Sequence, residues 1–247
     1  MFVGHPLAHT IPLNSNKDDK DTARFKLGLE ANTSTGKKTP IIALLPGSRA
    51  TEIKHLGKLF FQVAQTCWQQ NNQLEFLVSA ANPSCYNQLE CIRRELISQD
   101  PIFRQVPIKT YTGQSQSVIR AGDAVLVASG TATLETMLIK RPMTVAYKLN
   151  SLSYWLLSRL IKTPYVAQPN WLAEKAIVPE FLQNQATVEN LTASLMHHLA
   201  ITGTQEEQDL LEEYHKIHQQ LTSANLARAV ARILSPAQAT GVRKEAR

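Results

Sequence analysis

The 247-residue sequence is short of several features, and each shortage excludes a class of protein. It has 3 cysteines, Cys67, Cys85 and Cys91, an odd number with no C-x-x-C spacing, so neither a disulfide framework nor a four-ligand zinc site is expected. A reducing, cytoplasmic setting fits that usage. The longest apolar runs, 41–45 and 124–128, are strand-sized. They fall far short of the roughly 18 residues that a membrane-spanning helix needs. The N-terminal stretch has no basic segment followed by an apolar core and a small-residue cleavage site, so no secretory signal is expected. The strings G-x-x-x-x-G-K-[ST] and G-x-G-x-x-G are both absent. Their absence points away from P-loop ATPases and ordinary dehydrogenases.

What is present is a basic balance of 26 Lys and Arg against 20 Asp and Glu, a formal charge of +6. No basic helix or aromatic strand motif accompanies it, so nucleic acid is not an expected partner. Attraction to an anionic lipid surface or lipid substrate is the reading the charge favours. The stretch 151–166 mixes aromatic, aliphatic and basic side chains. That composition suits a helix resting in a membrane interface, and core packing gives the same pattern.

From residue 40 onward, near-continuous Val, Ile and Leu strands alternate with amphipathic helices. Strands are expected over 41–45, 74–79, 106–111, 123–128 and 143–147, with helices between them. This pattern implies an α/β fold, a parallel sheet covered by helices on both faces. Such sheets bind ligands beyond the carboxyl ends of their strands, so the turns that follow strands are the ones to inspect. Beyond residue 150 the pattern turns helical: 171–183 reads as partly helical, and helices are expected over 187–200, 205–221 and 223–234. The tail from 236 is polar and basic, and is expected to be disordered.

Pro46-Gly47-Ser48-Arg49 lies between a buried strand and a helix. Glycine there lets the backbone approach a ligand, a helix N-terminus offers N–H groups to an anion, and Arg49 can add a charge-assisted contact to phosphate. An ordinary turn with a solvated arginine has the same sequence. Ser129-Gly130-Thr131-Ala132-Thr133-Leu134-Glu135 is the stronger signal. Its small and hydroxyl-bearing residues leave room for a diphosphate, whose oxygens their N–H and O–H groups can bind. Glu135, about one turn into the helix, can reach the paired hydroxyls of a ribose, as acidic residues do in other nucleotide folds. Helix capping by Ser129 or Thr131 uses the same geometry, so cap and ligand site are compatible. Together these turns point to a nucleotide sugar held by its diphosphate.

His197-His198 and the His215/His218 pair lack acidic or cysteine partners in a signature spacing, and are expected to be surface histidines rather than metal ligands. His5 follows Gly4 at an expected strand end, where it either binds substrate or is structural. Met1-Phe2-Val3-Gly4-His5-Pro6 reads as the end of a buried strand with its turn. A strand with no upstream partners for its backbone groups would be exposed, so a preceding domain is expected.

Gly4-His5-Pro6-Leu7, Leu44-Leu45-Pro46-Gly47-Ser48-Arg49 with Glu52, Ala128-Ser129-Gly130-Thr131-Ala132-Thr133-Leu134-Glu135, Lys162-Thr163-Pro164-Tyr165-Val166, Pro169-Asn170 and Val178-Pro179-Glu180 with Gln183 occur in this order along the chain. In this the sequence resembles the lipid-A-disaccharide synthases, a family of GT-B glycosyltransferases. The resemblance implies a Rossmann-like C-terminal half of a GT-B fold. It also implies inverting transfer of 2,3-diacylglucosamine from UDP-2,3-diacylglucosamine to the 6-hydroxyl of 2,3-diacylglucosamine 1-phosphate (lipid X), giving lipid A disaccharide 1-phosphate and UDP. No cofactor is implied. Arg49, Ser129, Gly130, Thr131 and Glu135 match the family's nucleotide-binding positions. His5, Asn170 and Gln183 are candidate crevice residues, and Trp171 stands where a smaller aliphatic residue is expected. A cytoplasmic protein, peripheral on the inner membrane surface, and a homodimer with exchanged C-terminal parts are further implications.

The expected division is 1–13 as the remnant of the last strand of an N-terminal Rossmann-like domain, 14–39 as linker, and 40–184 as the UDP-sugar-binding domain, then 185–235 as C-terminal helices and 236–247 as tail. The general base is expected in the absent N-terminal domain, so no catalytic residue is assigned here. A UDP-binding module or inactive fragment, and a different GT-B enzyme acting on UDP-N-acetylglucosamine, are the alternative readings.

Overall fold

A computed structural model describes residues 5–14, 17–29, 39–148 and 165–223. The expected strand at 1–4, the stretch 151–164 and the helix and tail beyond 223 lie outside the described residues. Six strands, β1 (Ile41–Leu45), β2 (Glu75–Ala80), β3 (Ile108–Thr112), β4 (Ala124–Ala128), β5 (Met143–Tyr147) and β6 (Glu180–Leu182), form one sheet. Its order is β3-β2-β1-β4-β5-β6 and every pairing is parallel. The central strands β1 and β4 are buried at every position, which is why they read as unbroken apolar runs.

Alternate residues of each strand feed two cores. Ile42, Leu44, Phe76, Val78 and Leu126 face one side. Against them pack α3 (Ala50–Gln70), whose Ile53, Leu56, Phe60, Val63 and Cys67 make one stripe, α4 (Pro83–Gln99) and α8 (Val188–Ala200). Ile41, Ala43, Leu45, Val125, Val127 and Val145 face the other side. There they meet α2 (Lys17–Lys26), α5 (Ser115–Ala121), α6 (Thr131–Leu138), α7 (Gln168–Ala173) and α9 (Gln205–Ser223).

Three local expectations are corrected. The stretch 171–183, read as partly helical, contains the edge strand β6, which pairs with β5 through Val145↔Glu180, Ala146↔Phe181 and Tyr147↔Leu182. Three residues are too few for a period-2 signal, so only the pairing with β5 defines it. The segment 1–13, read as a strand remnant with its turn at Gly4-His5-Pro6, contains a short helix, α1 (Pro6–Thr10): Pro6 occupies its first turn and His5 Nδ1 accepts from Leu7 N–H at 3.2 Å. Two histidines expected at the surface are buried. His198 Nε2 donates to Met143 O at 3.0 Å, and His218 lies 2.7 Å from the Lys140 ammonium, with its Nε2 donating to Ala8 O at 3.1 Å. Both are neutral bridges between elements, a role that leaves no mark in the spacing.

Within the stretch read as linker, α2 is docked on the amino end of the sheet. Asp123, just before β4, accepts from Lys20 Nζ, Arg24 Nη2 and Ile41 N–H, each at 2.7 Å. Arg24 also donates to Ala121 O at 3.0 Å and Thr39 O at 3.3 Å. Burial works to raise the Asp123 carboxyl, but the two cations and the N–H outweigh it and hold it below the ordinary 3.8.

Candidate functional site

β1 and β4 are neighbours, yet β1 leads into α3 on one face of the sheet and β4 into α6 on the other. The chain therefore diverges at their carboxyl ends and opens a crevice, the switch point at which open parallel sheets hold ligands. The register Leu45↔Val127 sets Pro46-Gly47-Ser48-Arg49 beside Ser129-Gly130-Thr131. The two turns singled out in the sequence thus flank one crevice.

They differ in what they offer. At the start of α3, Glu52 folds back so that its Oε2 accepts from Ser48 N–H at 2.8 Å and Arg49 N–H at 3.2 Å. This carboxylate already fills the anion-accepting position of that helix end. Gly47 makes the fold-back sterically feasible: its φ is 124°, and a Cβ there would lie 2.5 Å from Glu52 Cβ. From the far side α4 pins the turn, with the Cys85 thiol donating to Ser48 O and Gln88 Nε2 to Ala50 O. What remains for a ligand is the Arg49 side chain, 81% exposed and loosely paired with Glu52 at 3.7 Å.

At the start of α6 the position is open. Gly130 is the N-cap, at φ 152° and ψ −162°, and among the described residues no side chain caps the helix. Neither Ser129 nor Thr131 serves as the cap. Ser129 N–H bonds Ala146 O, and its hydroxyl donates to Val166 O at 3.2 Å. The Ser129 proton is therefore committed to the main chain, and the donors this turn leaves open are the backbone N–H groups and the Thr131 hydroxyl. Thr131 is exposed at the helix start, while Thr133 turns its hydroxyl back to Gly130 O at 2.8 Å. The contact at Val166 is held by Glu180 on β6, whose carboxylate accepts from Val166 N–H, Ala167 N–H and Asn170 Nδ2.

Glu135 lies in the second turn of α6, half-buried, and accepts from Gln116 Nε2 at 2.9 Å and Ser115 Oγ at 3.3 Å. Asn170 is fully committed: its amide donates to Val178 O at 2.8 Å and to Glu180, and its carbonyl accepts from Ile177 and Val178 N–H at 2.7 and 2.8 Å. It braces the segment that carries Val166. Gln183, at φ 49°, follows β6 directly, two strands from β4 on the carboxyl side. The described hydrogen bond of His5 is that of a helix cap on α1, which packs against α9. Trp171 on α7 is 54% exposed.

A cavity of about 650 Å³ lies at the opposite, amino end of the sheet, lined by Lys20, Arg24, Thr39, Asn71, Asp123 and Met196. There Lys20 and Arg24 are already paired with Asp123. The uncapped N–H groups are at the carboxyl end. Among the described residues no group of three or more His, Cys, Asp or Glu side chains is placed to hold a metal ion, and no helix is long and apolar enough to cross a membrane.

The positions that sequence reasoning missed are Gln116 and Ser115, which brace Glu135 from another helix, and the capping role of Glu52. The last had a signal, an acidic residue at the third helical position after Arg49. Gln116 had none, because its partner is 19 residues away.

A family model described as lipid-A-disaccharide synthetase matches residues 1–234. The lipid-A-disaccharide synthase of Cellvibrio japonicus (strain Ueda107) is 42% identical over 242 residues, which are 97% of this chain and 58% of that protein. The chain spans little more than half the length of the curated relatives it matches. Among solved structures, a glycosyltransferase from Rickettsia africae ESF-5 has a TM-score of 0.62 at 13% identity, covering 94% of this chain and 56% of that one. Anabaena Alr3699/HepE in complex with UDP and glucose has a TM-score of 0.53 at 13% identity, covering 89% and 53%. These two likenesses establish the glycosyltransferase type of fold.

Proposed function

The chain belongs to the lipid-A-disaccharide synthetase family, and on that premise we propose that its crevice holds the UDP of UDP-2,3-diacylglucosamine during transfer of the sugar to 2,3-diacylglucosamine 1-phosphate. The observation that carries this reading is the uncapped start of α6 at the switch point, beside the turn that bears the exposed Arg49. In the reaction the bond from the donor anomeric carbon to the diphosphate oxygen breaks, and its electron pair leaves with UDP. The acceptor 6-hydroxyl oxygen bonds that carbon from the opposite face, with inversion, and gives up its proton to a base. Negative charge therefore grows on the diphosphate as it departs. The N–H groups after Gly130 are fixed dipoles aimed at that group, which is the form of catalysis that needs no reorganisation, and the exposed Arg49 guanidinium adds a positive charge that closes on it. Glu135 takes the ribose hydroxyls. No residue of this chain is assigned as the base.

The basic balance supports a working position on the cytoplasmic face of the inner membrane, where phosphorylated lipid substrates lie. A homodimer belongs to the same reading.

Titration with UDP and with UMP tests the site. The wild-type chain is expected to prefer UDP, and Arg49→Ala to narrow that preference about tenfold, the loss of one charge-assisted hydrogen bond. Because Arg49 is exposed, its substitution should leave unfolding within about 0.5 kcal/mol of wild type. A UDP affinity indifferent to the substitution counts against the reading. Glycosyl transfer by the chain, measured with both lipid substrates, separates an enzyme from a UDP-binding module.

A further inference from the structure

A helical side chain leans toward the N-terminus of its helix, so Glu135 leans toward the α6 turn that opens the crevice. A glutamate with three free torsions would lose that freedom on binding a ligand. Here both of its oxygens are already held from α5: Gln116 Nε2 lies 2.9 Å from Oε1 and Ser115 Oγ 3.3 Å from Oε2. A carboxylate has about four acceptor positions. Two engaged by α5 leave one further position on each oxygen, which is the number a ribose diol requires.

The Gln116 amide is itself oriented from the other side. Arg120, one turn further along α5, donates its Nη1 to Gln116 Oε1 at 3.1 Å. Arginine can only donate, so the amide oxygen must face Arg120 and the amide nitrogen must face Glu135. Hydrogen bonds run one way from Arg120 to Gln116 to the Glu135 carboxylate, and the two donors stand on a helix that follows β3 rather than either of the crevice strands.

Resting on the reading of Glu135 as the ribose partner, we propose that Gln116 is a positioning residue that holds the Glu135 carboxylate ready for the 2′- and 3′-hydroxyls of the bound nucleoside diphosphate, with Arg120 fixing the sense of its amide. Gln116→Met keeps the length and removes the donor. Gln116→Glu keeps the shape and places a second carboxylate against Glu135.

The experiment is a calorimetric titration of wild type and both variants with UDP and with 2′,3′-dideoxyuridine diphosphate, which lacks the diol but keeps base and diphosphate. Wild type is expected to prefer UDP. Gln116→Met should weaken UDP about fivefold to tenfold and Gln116→Glu more, while the affinity of each for the dideoxy ligand stays within about twofold of wild type, which also reports that the variants are folded. An equal loss for both ligands means a merely structural role and overturns the proposal, as does a Gln116→Met chain with undiminished preference for UDP. A wild-type chain that binds both ligands equally removes the ribose role of Glu135, and with it this proposal, while leaving the diphosphate site standing. A wild-type chain that binds neither overturns the UDP reading itself.

Discussion

The two ends of the sheet are finished in opposite ways. At the amino end the chain supplies its own partners: Asp123 gathers Lys20, Arg24 and Ile41 N–H, and His198 Nε2 is sealed against Met143 O. At the carboxyl end of β4, α6 begins without a cap, at a glycine in a backbone conformation closed to other residues, beside an arginine that is 81% exposed. The first arrangement holds the domain together and the second leaves donors for a ligand. The two helix starts at the crevice repeat the lesson on a smaller scale, since Glu52 satisfies α3 and nothing in the described residues satisfies α6. A turn's chemistry is decided by whether the chain itself supplies the anion.

The contrast can be broken at the amino end first. Asp123→Ala would strand the Arg24 guanidinium, whose side chain is 9% exposed, together with the Ile41 N–H. Removing one partner of a buried pair typically costs about 3–5 kcal/mol. Urea unfolding should show a loss in that range, with UDP affinity of the folded chain unchanged; a loss under about 1 kcal/mol would mean that the network is peripheral.

The next effect is pH-dependent. Burial pushes the His198 imidazole down from 6.5 to about 4, against the smaller opposing pull of its bond to Met143 O, and its Nδ1 has no hydrogen-bond partner among the described residues. The unfolded chain thus binds this proton at higher pH than the folded chain does. Stability from this group is fully present above pH 6.5, falls as the pH drops to about 4, and is level below that. At about 1.4 kcal/mol per pKa unit the window is worth roughly 3 kcal/mol. His198→Leu should flatten the dependence of unfolding free energy on pH between these limits by that order, and an unchanged slope would remove His198 as its source.

The smallest expected effect is at the carboxyl end. A Cβ on Gly130 meets nothing within 4 Å, so Gly130→Ala acts only through the backbone. Holding a non-glycine residue at φ 152° costs about 1–3 kcal/mol. The turn will relax to avoid most of that cost. Thermal unfolding should therefore change by about 1 kcal/mol while UDP affinity falls about tenfold or more, the reverse of the Asp123→Ala pattern. Retained affinity would show that the N–H groups after Gly130 do not hold the diphosphate.

Much of this was legible in the chain. β1 and β4 are unbroken apolar runs because both faces of a central parallel strand are buried, and Pro46 and Gly130 mark where each run must turn. α8 and α9 follow their apolar stripes to within a residue or two of the expected limits, 187–200 and 205–221, and α3 and α4 fall between strands as expected. β6 was not legible, because three half-buried residues at a sheet edge carry no periodicity of their own. His198 and His218 were not either: a histidine on an amphipathic helix reads the same whether its outer face meets water or a carbonyl from another element.

The sequence by itself determined the alternation of elements, the two buried central strands and the two turns that flank the crevice, since burial and backbone restriction act residue by residue along the chain. Tertiary structure decided that the Ser129 hydroxyl turns away from the start of α6 and leaves that turn open. That choice depends on hydrogen-bond partners such as Ala146 O and Val166 O, contributed by segments up to 37 residues away in the chain. No local pattern records a partner that only folding brings near.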